Sequence, residues 1–124
     1  MMFHKEYESM SREDLEQLQI ERLQITLNRI YRNVAFYKSL FDDNNIRVED
    51  IKSLEDLAKL PFTTKDDLRK SYPYDMFAVP LRDIVRIHST SGTTGKPIVV
   101  GYTMGDIGVW SSLLARVLTA AGVQ

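Results

Sequence analysis

The sequence contains no cysteine, which excludes a disulfide scaffold and a thiolate metal centre. Glycine is absent from the first 91 residues, and all six glycines (Gly92, Gly95, Gly101, Gly105, Gly108, Gly122) fall in the last third. Two differently built regions therefore share the chain. No apolar run approaches the ~20 residues of a membrane-spanning helix, and the opening residues (Met1, Met2, Phe3, His4, Lys5, Glu6) lack the apolar core of a signal peptide. Charge of one sign is also scarce: 16 Lys and Arg against 17 Asp and Glu leave a net charge of -1, no field for nucleic acid or an anionic membrane. Residues 1–62 hold nine basic against twelve acidic groups and residues 63–124 seven against five, so the glycine-bearing half is the positive one. A cytoplasmic protein without nucleic-acid or membrane partners is expected. At 124 residues and 44% hydrophobic, the chain has enough apolar surface for one compact domain and too little for two.

Ser11, with Asp14 three residues on, marks a helix start, and Ile20, Leu23, Leu27, Ile30, Val34, Tyr37 and Phe41 follow at alternating steps of three and four. This spacing predicts one helix over residues 12–41. Leu18, Ile25, Phe36 and Leu40 widen the stripe beyond a coiled-coil seam, which favours a helix laid across its own domain over a partner helix but leaves a homodimer open. Asp42, Asp43, Asn44 and Asn45 end it in a polar turn. A calcium loop starting at Asp42 would need glycine at its sixth position and glutamate at its twelfth, where Arg47 and Ser53 stand. Two short helices are predicted next, capped by Ser53 with Asp56 and by Thr64 with Asp67, and separated by Leu60, Pro61, Phe62 and Thr63. Asp66 and Asp67, in the first turn of the second, read as capping and dipole groups rather than paired catalytic carboxylates.

After an irregular stretch around Tyr72, Pro73, Tyr74 and Pro80, the β-branched runs at residues 84–88 and 98–102 read as strands. A final helix is expected from the N-cap Thr103 with Asp106, through an apolar stripe (Ile107, Trp110, Leu113, Leu114, Val117, Leu118, Ala121) to Gly122 in the C-terminal capping position. Trp110 on this stripe is expected in the core. The fold class is α/β: a helical N-terminal region (residues 1–83), then a β-hairpin and a helix (residues 84–124). Two strands make a poor sheet for so apolar a helix to cover. His4 reads as part of an unstructured terminus and His88 as a strand end; with two histidines and no cysteine, no zinc site is expected.

Between the strands lie Ser89, Thr90, Ser91, Gly92, Thr93, Thr94, Gly95, Lys96 and Pro97: five hydroxyls, two glycines, one ammonium group and no acid. Such a loop suits an oligophosphate. Glycines admit backbone N–H groups to the oxygens without a Cβ in the way, hydroxyls donate further bonds, and the lysine supplies a point charge. It differs from the Walker A loop, which separates its glycines by four residues, follows its lysine with Ser or Thr and feeds a helix N-terminus.

The loop resembles the phosphate-binding signature of the AMP-forming adenylate ligases, the superfamily of acyl-CoA synthetases, luciferases and peptide-synthetase adenylation domains. Within it, Lys96 before Pro97 is most similar to the branch of phenylacetate and related aryl-CoA ligases. The likeness extends upstream to Leu60, Pro61, Phe62, Thr63, Thr64, Lys65, Asp66, Asp67, Leu68, Arg69, Tyr72 and Pro73. It also takes in Arg86, Ile87, His88 and, past the loop, Val99, Val100, Gly101, Tyr102 and Thr103. Thr90 departs from the branch, which usually has serine there. The resemblance implies that Ser91, Gly92, Thr93, Thr94, Gly95 and Lys96 hold the β and γ phosphates of ATP. It implies a reaction in which an aryl carboxylate is adenylated, with Mg²⁺, and then passed to coenzyme A. A whole ligase of this kind is several times longer, so the chain reads as an N-terminal portion, inactive alone, whose residues 84–124 begin a truncated nucleotide-binding domain. The catalytic lysine, the Mg²⁺ acid and the aryl pocket would lie outside it. A non-catalytic phosphate-binding module and a helical interaction protein are the alternatives.

Overall fold

The computed structural model describes residues 4–92 and 95–123. Helices α1 (Lys5–Glu8), α2 (Arg12–Asn33), α3 (Ala35–Asp43) and α4 (Lys65–Lys70) precede strands β1 (Ile84–Ser89) and β2 (Val99–Thr103) and the last helix α5 (Met104–Ala120). Short 3₁₀ segments stand at Val48–Asp50, Glu55–Lys59 and Leu81–Asp83. Among the described residues the sheet is the antiparallel pair β1–β2. Helices, a hairpin and a C-terminal helix agree with the α/β class expected of the sequence.

The long helix expected over residues 12–41 is two. Val34 leaves helical space at φ -122°, ψ 106° and serves both as the C-cap of α2 and as the N-cap of α3. Its N–H still donates to the Ile30 carbonyl (2.9 Å), and its carbonyl still accepts from Lys38 N–H (3.1 Å), so the bend forfeits little hydrogen bonding. A β-branched residue tolerates the extended conformation. The return is packing: Val34 falls to 1% exposure, and α3 turns Phe41 into a core with Leu27, Val48 and Ile51. The Phe41 ring lies between those of Tyr31 and Tyr37, with centroids 6.3 and 6.2 Å away. The Gln24 side-chain amide donates to the Ile51 carbonyl and ties the chain after α3 back to α2. Ile25, by contrast, faces away from this core and is exposed.

Side-chain caps set the element ends. Thr64 with Asp67 and Thr103 with Asp106 form complete capping boxes at α4 and α5. At α2 half of the box is present: the Ser11 hydroxyl accepts from Asp14 N–H and donates to the Asp14 carboxylate. The helix expected after Ser53 is the 3₁₀ segment Glu55–Lys59, and the Asp56 carboxylate caps it by accepting from the Lys52 and Ser53 N–H groups at 2.8 and 3.0 Å. Asp66 pairs with Arg69 at 2.9 Å, and Asp42 accepts from the Tyr31 hydroxyl and Lys38, so these acids have structural work. After α5, Gly122 takes φ 88° as Val123 N–H reaches the Leu118 carbonyl, the expected glycine stop.

Two further expectations fail. The terminus is not structureless: α1 follows His4, and Glu8 binds Arg116 of α5 through two guanidinium nitrogens at 2.8 Å each. Trp110 is not core either, being 46% exposed, and Leu113, Leu114 and Val117 are still more so. The periodicity of α5 marks a face made for covering, but the two-stranded hairpin is too small to cover it.

Replacing Ile51 by alanine is expected to cost about 2–4 kcal/mol, read by chemical denaturation, because the methyl groups leave a cavity between α2 and the following chain. A pH series tests the α5 cap. Thr103 N–H, and then its hydroxyl, hold the Asp106 carboxyl below its ordinary value of 3.8. Stability from this group is present above pH ~4 and lost as pH falls through the depressed folded value, so Asp106→Asn should lower stability at neutral pH and flatten the acid limb of thermal melts.

Candidate functional site

The hairpin sets the geometry of the loop. Arg86 faces Tyr102, Ile87 faces Gly101, His88 faces Val100 and Ser89 faces Val99, with an irregularity between Ile84 and Arg86. Thr90 extends the pairing one step: its N–H donates to the Ile98 carbonyl and its hydroxyl accepts from Ile98 N–H, both at 3.0 Å. The Thr90 hydroxyl, which could otherwise have been counted among ligand donors, thus closes the hairpin. Beyond that clasp the chain is free of the ladder.

Gly92 and Gly95 shape the tip. Gly92 has φ 66°, and a Cβ there would stand 3.1 Å from the Gly95 carbonyl oxygen and 3.4 Å from Pro97 Cδ. Gly95 has φ 134° and open space around its missing side chain; its N–H donates to the Gly92 carbonyl at 3.1 Å. Both conformations are ones that L side chains rarely adopt. Ser91 and Lys96 are exposed at this tip. Lys96 makes no ion pair among the described residues. Thr93 and Thr94, the other two expected ligands, lie outside the described residues. Ser91, Gly92, Gly95 and Lys96 are therefore brought together at one end of the hairpin, around a surface with hydroxyl, ammonium and little steric cover.

Beneath the loop lies a ring cluster that sequence reading did not assemble. His88 meets Tyr102 edge-on at 5.1 Å and Trp110 edge-on at 5.8 Å, while Tyr102 and Trp110 stack at 5.6 Å with planes 28° apart. The Arg86 guanidinium lies 5.9 Å from the centre of the Trp110 ring. The alternation Arg86, His88 on β1 signalled a common face; that Trp110 of α5 would meet it was not legible from spacing alone. On the other side of β2, a Cβ at Gly101 would fall 2.6 Å from the Phe77 ring, so glycine there admits close packing. A separate cleft of about 660 Å³ between α2 and α5 is lined by Tyr7, Arg22, Ile25, Gly108, Leu113 and Arg116, and none of the loop residues borders it.

The two glycine environments make opposite predictions. Gly92→Ala should lower stability by about 1–2 kcal/mol through forced positive φ and the close carbonyl. Gly108→Ala, inside α5 with nothing within 4 Å of the new Cβ, should raise it by about 0.5–1 kcal/mol. Thermal denaturation of both variants checks the contrast.

No family model matches the chain. It is 50% identical over 115 residues to the phenylacetate-coenzyme A ligase of Aromatoleum evansii, covering 93% of this chain and 26% of that protein. It is 46% identical over 124 residues to the phenylacetate-coenzyme A ligase of Thermus thermophilus, covering 100% of this chain and 28% of that one. Among solved structures, 2-hydroxyisobutyryl-CoA ligase in complex with 2-HIB-AMP and CoA superposes with a TM-score of 0.80 at 30% identity, over 89% of this chain and 24% of that one. The chain spans about a quarter of the length of the curated relatives it matches.

Proposed function

We propose that this chain, a homologue of the phenylacetate-coenzyme A ligases, is the N-terminal portion of a cytoplasmic AMP-forming aryl-CoA ligase and supplies its ATP phosphate loop. In the reaction, a carboxylate oxygen of the aryl acid attacks the α-phosphorus of ATP and pyrophosphate leaves. The coenzyme A thiol then attacks the acyl carbon of the adenylate and AMP departs.

One observation supports the assignment above the rest. The hairpin tip holds Ser91, Gly92, Gly95 and Lys96 together, free of any acid, on a backbone whose positive φ values only glycine accepts readily. The β and γ phosphates would rest there against hydroxyl and backbone donors, Thr93 and Thr94 included. Lys96 would stabilise the charge that accumulates on the departing pyrophosphate. Holding the distal phosphates also aims the α-phosphorus at the carboxylate, a contribution through orientation rather than bond-making.

Magnesium, which such chemistry normally employs, finds no fit in these residues. The loop offers no carboxylate, and no cluster of three His, Asp or Glu among the described residues could hold a cation. No magnesium ligand is assigned to this chain. The exposed face of α5, with Val109, Leu113, Leu114 and Val117, supports reading residues 84–124 as the beginning of a larger α/β layer and residues 1–83 as a helical region with its own core. The described helices include none long and apolar enough to cross a membrane.

In the full ligase, Lys96→Ala should reduce kcat/KM for ATP by about 10–100-fold in ATP–pyrophosphate exchange, the loss of one charge-assisted phosphate contact. The KM for the carboxylic acid should hold. Unchanged adenylation in that variant would overturn the assignment.

A further inference from the structure

We infer that Trp110 is a positioning residue for the phosphate loop, acting through the ring cluster it forms with Tyr102 and His88. The inference rests on reading that loop as the ATP phosphate site. β2 ends at Thr103 and α5 begins at Met104, so a single junction joins the hairpin to the helix. A two-stranded ribbon is marginally stable by itself, and with Phe77 bracing its other face at Gly101, its placement against α5 depends on side-chain contacts across that junction. Trp110 is placed to supply them: one face engagement with Tyr102 holds β2, and the edge contact with His88 together with the overlying Arg86 guanidinium holds β1.

The path from this anchor to the ligand is short. His88 is followed directly by Ser89, whose partner Val99 lies just past the Thr90–Ile98 clasp, and the loop tip hangs from that clasp. Trp110 itself remains 46% exposed and belongs to no buried core, so its contribution is to orientation of the hairpin more than to burial. Rings suit this task because stacked and edge-on contacts have angular preferences that aliphatic contacts lack. Without them Ser91, Gly92, Gly95 and Lys96 would keep their local shape while the tip as a whole lost its aim.

The test compares Trp110→Leu, which keeps apolar surface but removes the rings, with Trp110→Phe, which keeps a ring, in the full ligase. Trp110→Leu should raise the KM for ATP about tenfold, the value of the ring and cation contacts together, with little change in kcat at saturating ATP or in the KM for the acid. Trp110→Phe should recover most of that loss. An ATP KM unchanged in Trp110→Leu, or equal damage to kcat and to every KM in both variants, would overturn the inference. Should Trp110→Leu fail to fold, Tyr102→Leu interrogates the same cluster from β2, with the same expected and overturning results. Lys96→Ala separates this inference from its premise. If Lys96→Ala weakens ATP binding and Trp110→Leu does not, positioning alone falls; if Lys96→Ala leaves ATP affinity intact, the phosphate-loop reading falls and positioning with it.

Discussion

The clasp between Thr90 and Ile98 is the constraint on which the hairpin tip, the proposed phosphate site, depends. Two bonds of 3.0 Å, one to each backbone group of Ile98, fix where the ladder stops and the loop begins. A register slip by one residue would send every side chain of the hairpin to its opposite face. Arg86, His88 and Tyr102 would then leave Trp110, and Gly101 would no longer stand where Phe77 presses against β2. The glycine at residue 101 and the side-chain oxygen at residue 90 thus specify one register from opposite ends of the ribbon. The positive φ values of Gly92 and Gly95 matter only because that register brings the chain to a tip at that place.

The two halves of the chain solve different problems. The helical half closes on itself: α2, the bend at Val34, α3 and the following 3₁₀ segment enclose Leu27, Phe41, Val48 and Ile51 without help from the hairpin. The second half buries no complete side chain among its described residues, and its attachments to the first are polar or partial, such as Glu8 with Arg116. An exposed ion pair of that kind contributes little on its own. The hairpin and α5 accordingly present apolar surface on a scale that isolated small domains rarely leave open. The relatives the chain matches are about four times as long.

How far the sequence could be read follows from the range of the forces involved. The boxes of Thr64 with Asp67 and Thr103 with Asp106 were legible because cap and carboxylate are three residues apart and need no distant partner. The strands and the glycine stop at Gly122 were legible for the same reason. The bend at Val34 was not. Steps of three and four record which side chains share a face, and they persist through one residue that leaves helical dihedrals, so periodicity cannot register a turn whose benefit lies in packing Phe41. Trp110 was misread because an apolar stripe announces a need for burial without saying whether the burying partner is present. The proposed phosphate ligands rest on a local resemblance carried by the loop residues, whereas the ring cluster below them required knowing which face of β1 meets which turn of α5.

The electrostatics of the hairpin explain why the proposed site is built on a lysine-bearing loop rather than on a helix end. The start of α5 lies immediately beyond β2 and would ordinarily attract an anion through its unsatisfied N–H groups and dipole. Here a carboxylate already occupies that end: Thr103 N–H donates to the Asp106 carboxylate and Asp106 N–H to the Thr103 hydroxyl. A phosphate approaching α5 would meet that fixed negative charge. At the opposite end of the hairpin no acid is present from Ser89 through Pro97, and Lys96 stands exposed. The ribbon therefore separates an occupied anion position from an open one by its own length, and the open position is the one that carries the ammonium group.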